Sequence, residues 1–221
     1  MPLIDLSHII EENMPVYPGT EPVKISPMSE MDRDGFVEKT IVLGSHVGTH
    51  MDAPAHVLAG GKTLDQLPID HFAGSACVLD LRGLGGPEIN LQALEGRMDQ
   101  GGSFEFYLLR TGWSRLWGSQ GYFQGYPVLS PEAARFLAGL GPKGVGVDAI
   151  SIDDLDSSEL PIHRIFLSRD IVIVENLDHL EQLPNEPFKF CCFPLKFKGA
   201  DGSPVRAVAE KVSDVHARMP G

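Results

Sequence analysis

Cysteine is scarce in this chain: Cys77, Cys191 and Cys192 are the only three among 221 residues. Their odd number and the lack of a C-x-x-C spacing supply neither a zinc knuckle nor a disulfide framework. Cys77 lies in the apolar run Ala76–Leu79, and the adjacent pair lies among the phenylalanines of FKFCCFPLKF, so all three read as small buried hydrophobes. Positive charge is also sparse. Eighteen Lys and Arg against 30 Asp and Glu leave a net charge of −12, which argues against nucleic acid or an anionic membrane surface as the main partner. No apolar stretch approaches the ~20 residues of a membrane helix. The start, MPLIDLSHII, lacks the basic and then apolar regions of a signal peptide. A cytoplasmic protein is the expectation, and its acidity gives a mild attraction for cations.

What is present is a succession of short β segments separated by Gly/Pro turns. Strands are expected at Leu3–Asp5, Val37–Leu43, Ala76–Asp80, Phe106–Arg110, Gly144–Val147, Ile171–Glu175 and Phe188–Lys196. Runs such as IVIV have the continuous apolarity of strands covered on both faces. SPEAARFLAGLGP reads as a helix capped by Ser130, with Pro131 in its first turn and Gly139 or Gly141 as its stop. NLQALEGRM reads as another, capped by Asn90, and SIDDLDSSEL as a solvated loop. Glycine (24) and proline (17) are dispersed, with no repeat and no composition break. One mixed α/β domain spanning residues 1–221 is expected, with a core that needs no staples.

The densest chemistry lies in HVGTHMDAPAH, which holds three of the chain's eight histidines. On a helix, His46 and His50 would share a face, but Asp52 would point roughly 200° away from His50 at ~100° per residue. Gly48, β-branched Val47 and Thr49, and Pro54 also oppose a helix. On a strand, His46, Gly48, His50 and Asp52 share one face. A straight strand would still separate His46 from Asp52 by ~20 Å, too far for one ion, so a bend is required and Gly48 is its natural place. Two imidazoles and a carboxylate form a standard ligand set for zinc or another first-row divalent ion. Pro54 then aims His56 toward the same cavity, where a titratable group suits acid–base work.

The pattern H-x-G-T-H-x-D-x-P-x-H resembles the signature of the metal-dependent cyclase-like hydrolases, which include the bacterial kynurenine formamidases. His46, Gly48, Thr49, His50, Asp52, Pro54 and His56 fill every defined position. MPVYPGTEP, LLRTGW, VGVDAISID and HRIFLSRDIVIVENLDHL extend the resemblance over nearly the whole chain. It implies a swivelling β/β/α-type fold with a mixed sheet and few helices, a homodimer or higher homo-oligomer, and one or two divalent ions, zinc or manganese. It also implies a first ion on His46, His50 and Asp52, a second shared by Asp52 with His163 and Glu175, and His56 as the acid–base residue. The implied reaction is hydrolysis of an arylformamide such as N-formylkynurenine by a metal-activated water. Glu at position 175 leans toward the formamidase branch, since isatin-hydrolase-like relatives carry Gln there and use one manganese. Tyr17 stands where formamidases often carry Trp; it can stack on an aryl substrate, though the exchange loosens the link to kynurenine specifically.

Glu175 can also be read without the resemblance: it closes an apolar strand, where an unpaired carboxylate would be costly. Asp148 could orient a ligand histidine or cap the next segment. His8 reads as structural or at the pocket rim; His71, His179 and His216 read as surface or core, and Arg110–Trp113 as a strand-to-turn boundary or a donor placed at the pocket. Trp113 and Trp117 are expected to pack together or at an interface. Competing readings are the opening of a cyclic amide or lactone, a non-catalytic metal or small-ligand module, and an ion that only braces the fold. Retention of His56 beside the ligands weighs against the non-catalytic module, and the open-sided ligand set with its glycine-rich backbone against the bracing ion.

Overall fold

The apolar runs FYLLR, GVGV and VIVE form neighbouring strands that are buried along almost their whole length. The computed structural model describes residues 3–84, 86–98 and 103–211. Its strands are β1 (Leu3–Asp5), β2 (Lys24–Ser29), β3 (Glu38–Val42), β4 (His50–Asp52), β5 (Ala73–Asp80), β6 (Glu88–Ile89), β7 (Phe106–Arg110), β8 (Val128–Leu129), β9 (Gly144–Val147), β10 (Val172–Glu175), β11 (Phe188–Pro194) and β12 (Gly202–Lys211). The helices are α1 (Met31–Asp34), α2 (Leu91–Glu95), α3 (Pro131–Gly139) and α4 (Pro161–Leu167). None of the described helices is long and apolar enough to cross a membrane.

Strands β5, β7, β9 and β10 run parallel in that order. β11 and β12 continue the sheet antiparallel beyond β5, and β4 pairs with both β10 and β12, which closes the ring. β1 lines the outside edge of β12. The closed mixed sheet with few helices is the α/β architecture expected from the sequence.

Both faces of the parallel strands are covered, which accounts for their unbroken apolarity. On β7, Phe106 and Leu108 join one buried cluster with Phe188, Phe190 and Val174. Tyr107 and Leu109 join the other, with Ala133, Ala134 and Leu137 of α3 and Phe166 of α4. Gly144 and Gly146 let neighbouring side chains close over β9. A Cβ on Gly144 would come within 2.7 Å of Phe106, and one on Gly146 within 2.8 Å of Leu108.

Local chemistry sets the helix ends. The Ser130 hydroxyl accepts from the Ala133 amide at 3.2 Å at the start of α3, and Gly141 (φ 73°) follows its end. Asn90 accepts from the Ala93 amide at 2.9 Å, but α2 stops at Glu95, before the expected Met98. Two features lie outside what the sequence pattern indicated. The strand expected at Val37–Leu43 belongs to a separate hairpin, pairing only with β2, and all five residues of β3 are exposed. Conversely, β12 carries alternating buried Val205, Ala207 and Ala209, a period-two signal absent from the strands expected above.

Candidate metal centre

Gly48 adopts the left-handed conformation (φ 62°), and strand geometry is confined to His50–Asp52. The expected bend therefore occurs, and it folds His46 back until its Nδ1 lies 2.6 Å from Asp52 Oδ1. Asn176 holds this turn. Its side-chain amide donates to the Gly48 carbonyl at 2.8 Å, its carbonyl accepts the Thr49 hydroxyl at 2.6 Å, and its Oδ1 accepts from Tyr122 at 2.7 Å. Thr49 Oγ1 also accepts from the His8 amide at 2.9 Å, and the His8 ring stacks on Trp117 with centroids 3.8 Å apart. His8 thus braces the back of the motif.

The sheet register assembles the rest. Pairing of β4 with β10 sets Glu175 opposite His50. His163 comes from α4, whose start is organised by Asp153: one carboxylate oxygen accepts from the Ile162 amide, the other from the His163 amide and from His163 Nδ1 at 2.7 Å. The other imidazole nitrogen, His163 Nε2, lies 3.4 Å from both Asp52 Oδ2 and Glu175 Oε1. His50 donates Nδ1–H to the Gly48 carbonyl at 2.9 Å, and its Nε2 lies 3.4 Å from Asp52 Oδ1 and 3.5 Å from Glu175 Oε2. A tetrahedral ion with bonds of ~2.0–2.1 Å holds its donors ~3.4 Å apart, so these spacings fit a shared divalent ion. Asp52 Oδ2 is fully buried yet receives no hydrogen bond among the described residues. Such an orphaned carboxylate oxygen is costly unless a cation completes it.

His56 closes the cluster from the turn Pro54–His56, with its ring centroid 4.0 Å from that of His46 and 5.7 Å from that of His163. Among the described residues, two groups with the spacing to hold an ion share Asp52: His46, Asp52 and His56, and His50, Asp52 and Glu175. The histidines differ in how they are held. His50 and His163 have one nitrogen tied to an acceptor behind them, and His46 Nε2 lies 3.0 Å from Asp201 Oδ2. His56 has no such ring partner among the described hydrogen bonds. These groups face a cavity of about 340 Å³ whose other walls include Tyr17, Thr20, Ile150, Ser157 and Leu160.

A family model described as a putative cyclase matches residues 4–154. The chain belongs to this cyclase family. It is 35% identical over 219 residues to a kynurenine formamidase of Salinibacter ruber, covering 97% of this chain and 100% of the relative. A kynurenine formamidase of Bacillus cereus is 31% identical over 217 residues, covering 95% and 97%. Among solved structures, isatin hydrolase A from Labrenzia aggregata bound to benzyl benzoate superposes with a TM-score of 0.85 at 25% identity, covering 94% of this chain and 93% of that one. A protein described as a predicted metal-dependent hydrolase from Bacillus stearothermophilus gives 0.77 at 28% identity, covering 94% and 97%. Together with the shared ligand groups, these relationships support a metal cofactor for this cyclase-family chain.

The electrostatics suit a cation. Burial opposes ionisation of Asp52, but His46 and His50 overcome it and hold its pKa well below the usual carboxylate range. Burial likewise opposes charge on His163, and Asp153, Asp52 and Glu175 reverse that and raise it. In the metal-free chain burial disfavours charged His46, yet Asp52, supported by Asp201, raises its pKa from 6.5 to about 9. A group raised in this way stabilises the fold fully below its unfolded pKa and ceases to do so as pH climbs through the folded value. Metal-stripped protein is therefore expected to lose stability between pH 6.5 and about 9, read as a falling urea midpoint in chelator. A midpoint that stays level or rises would contradict the ion pair.

Several residues differ from their sequence reading. Asp148 touches no ligand histidine; it accepts from the Thr111 amide and hydroxyl and the Gly112 amide, fixing the turn after β7. Asp153, placed by the sequence in a solvated loop, is 1% exposed and orients His163. The adjacent acids Asp154 and Asp156 are exposed, so composition hid the one buried member. Trp113 and Trp117 do not pair: Trp113 packs edge-on to Tyr126, and Trp117 against His8 and Tyr122. Cys77 and Cys192 are buried, whereas Cys191 is half-exposed. His71 abuts Phe72, His179 Nδ1 lies 3.1 Å from the Asp5 carbonyl, and His216 lies outside the described residues.

Proposed function

We propose that this chain is a zinc-dependent amidohydrolase acting on an arylformamide, with N-formylkynurenine the leading substrate. The observation that carries the reading is the buried Asp52 carboxylate, flanked by His46, His50 and His163, each tied from behind, beside an untethered His56. On this reading His46, His50 and Asp52 hold one ion, while Asp52, His163 and Glu175 hold a second. The similarity to two kynurenine formamidases over nearly the full chain supports the substrate class.

A bound divalent ion supplies a water that ionises near neutral pH and polarises the carbonyl oxygen. The protein's own residues supply the remainder. In the metal-free chain burial lowers the His56 pKa from its ordinary value, with His46 and His163 adding to that effect against the pull of Asp52. On this reading His56 takes a proton and delivers it to the leaving aryl amine nitrogen as the C–N bond breaks. Tyr17, whose hydroxyl donates to the Leu155 carbonyl at 3.0 Å, is a fixed wall against which an aryl ring can stack.

Glu175→Gln keeps the shape of the side chain and removes its charge. It is expected to weaken one of two zinc equivalents selectively by ~10-fold or more while the other persists, measured by zinc titration. Two equally tight ions in the variant would remove Glu175 from the ligand set. The reading as a whole is tested by hydrolysis of N-formylkynurenine, isatin and simple lactones by zinc-loaded protein, with metal content measured on the same sample. Turnover confined to isatin would favour the isatin hydrolysis named for the Labrenzia aggregata neighbour. The proposal includes a single-domain, cytoplasmic homo-oligomer; three unpaired thiols suit a reducing compartment.

A further inference from the structure

His46 is the least enclosed of the three tied imidazoles: its side chain is 22% exposed, against 4% for His50 and His163. It also lies outside the β4 strand that fixes His50 and Asp52. Something beyond the motif must therefore hold its ring. The start of β12, more than 150 residues later, supplies it. β12 pairs with β4 so that Gly202 stands opposite Asp52. The His46 ring occupies the space beside Gly202 that a side chain would fill: a Cβ there would approach Nε2 to 2.6 Å and Nδ1 to 2.8 Å. Asp201, the preceding residue, is anchored by its carbonyl, which accepts from the Ala53 amide at 2.8 Å. Its Oδ2 lies 3.0 Å from His46 Nε2 and also accepts from the Ser45 hydroxyl at 3.4 Å. The opposite ring nitrogen, Nδ1, faces Asp52 at 2.6 Å.

We propose that Asp201 is a positioning residue for the metal centre: it accepts the Nε2–H of His46 and thereby presents the Nδ1 lone pair to the ion beside Asp52, while Gly202 leaves room for the ring. A carboxylate or carbonyl behind a ligand imidazole fixes both its tautomer and its orientation. His50 and His163 show the same device turned around, with Nδ1–H held by the Gly48 carbonyl and by Asp153 so that Nε2 faces the carboxylates. Asp201 thus gives His46 the opposite tautomer from its two neighbours. The inference rests on the proposed metal-binding role of this cluster.

The test compares zinc affinity by chelator competition in the natural protein, Asp201→Ala, Asp201→Asn and Gly202→Ala, together with the melting temperature of each metal-free form. Asp201→Ala is expected to weaken zinc ~10–100-fold while the metal-free melting temperature falls only slightly, because Asp201 is 46% exposed and Asp52 remains as the main partner of His46. Asp201→Asn keeps an acceptor oxygen and is expected to bind zinc more like the natural protein than like Asp201→Ala. Gly202→Ala displaces the ring and is expected to weaken zinc at least as much as Asp201→Ala. In zinc-loaded natural protein, nitrogen NMR of His46 is expected to show the proton on Nε2. Unchanged zinc affinity in Asp201→Ala, no rescue by Asn, or a proton on Nδ1 of His46 would overturn the proposal. Failure of the natural protein itself to bind zinc would instead overturn the metal reading beneath it.

Discussion

Asp52→Asn is expected to reduce bound metal to a small fraction of the natural level and turnover by at least ~1,000-fold. Asp52 is the one residue common to both ligand groups. One oxygen faces His46 and His50 and the other faces His163, so its negative charge is what makes three imidazoles compatible with a divalent cation. The amide keeps the volume and removes that charge. It also replaces one acceptor oxygen with a donor group, which cannot ligate in place of the carboxylate oxygen. The metal-free fold should suffer as well. Leaving buried charged partners uncompensated typically costs ~3–5 kcal/mol, and the raised histidines lose their main counter-charge. Elemental analysis, turnover and urea denaturation of the metal-stripped variant check each part. An Asp52→Asn variant that still carries its full complement of metal would remove Asp52 from the centre of this description.

His56→Ala is expected to lower kcat by ~10²–10⁴-fold, the usual contribution of a placed acid–base group, while metal content and melting temperature stay nearly unchanged. The argument rests on contrast. His46, His50 and His163 each have a nitrogen engaged behind the ring, as ligand histidines do. His56 does not among the described residues, and it projects from a one-turn helix that starts at Pro54 beside the cavity. Its nearness to His46 and Asp52 also makes a ligand role geometrically available. Metal analysis separates the two: loss of metal in His56→Ala would assign it as a ligand, whereas retained metal with lost turnover assigns proton transfer. A small primary amine or imidazole added in solution is expected to restore part of the activity of the metal-loaded variant.

Much of the site was legible in a short stretch of chain, because spacing alone carries physical constraints. His46, His50 and Asp52 could not meet on a helix, and on a straight strand the ends would be too far apart; a bend at Gly48 followed, and it is there with φ 62°. Pro54 and His56 followed from the same motif, whereas the burial cost of Glu175 asked only for some compensating partner, and its place beside His163 came from the family resemblance. The doubly covered core strands were legible for a related reason: strands covered on both faces must be apolar at every position.

Only the tertiary structure decided what stands behind the ligands. Asp153 looked like one acid among several in a polar loop, and its burial depends on α4 packing against the sheet. Asp148, equally acidic and equally buried, turned out to serve the β7 turn. Asn176 and Asp201 are distant from Gly48 and His46 along the chain, and their contacts arise from β10 and β12 flanking β4. The donor types and bend of His46–His56 are written locally, since they follow from neighbouring residues, whereas His163 and Glu175 reach the cluster only through the fold. Ligand orientation comes from hydrogen bonds that cross the sheet, and no pattern within the motif encodes its partners.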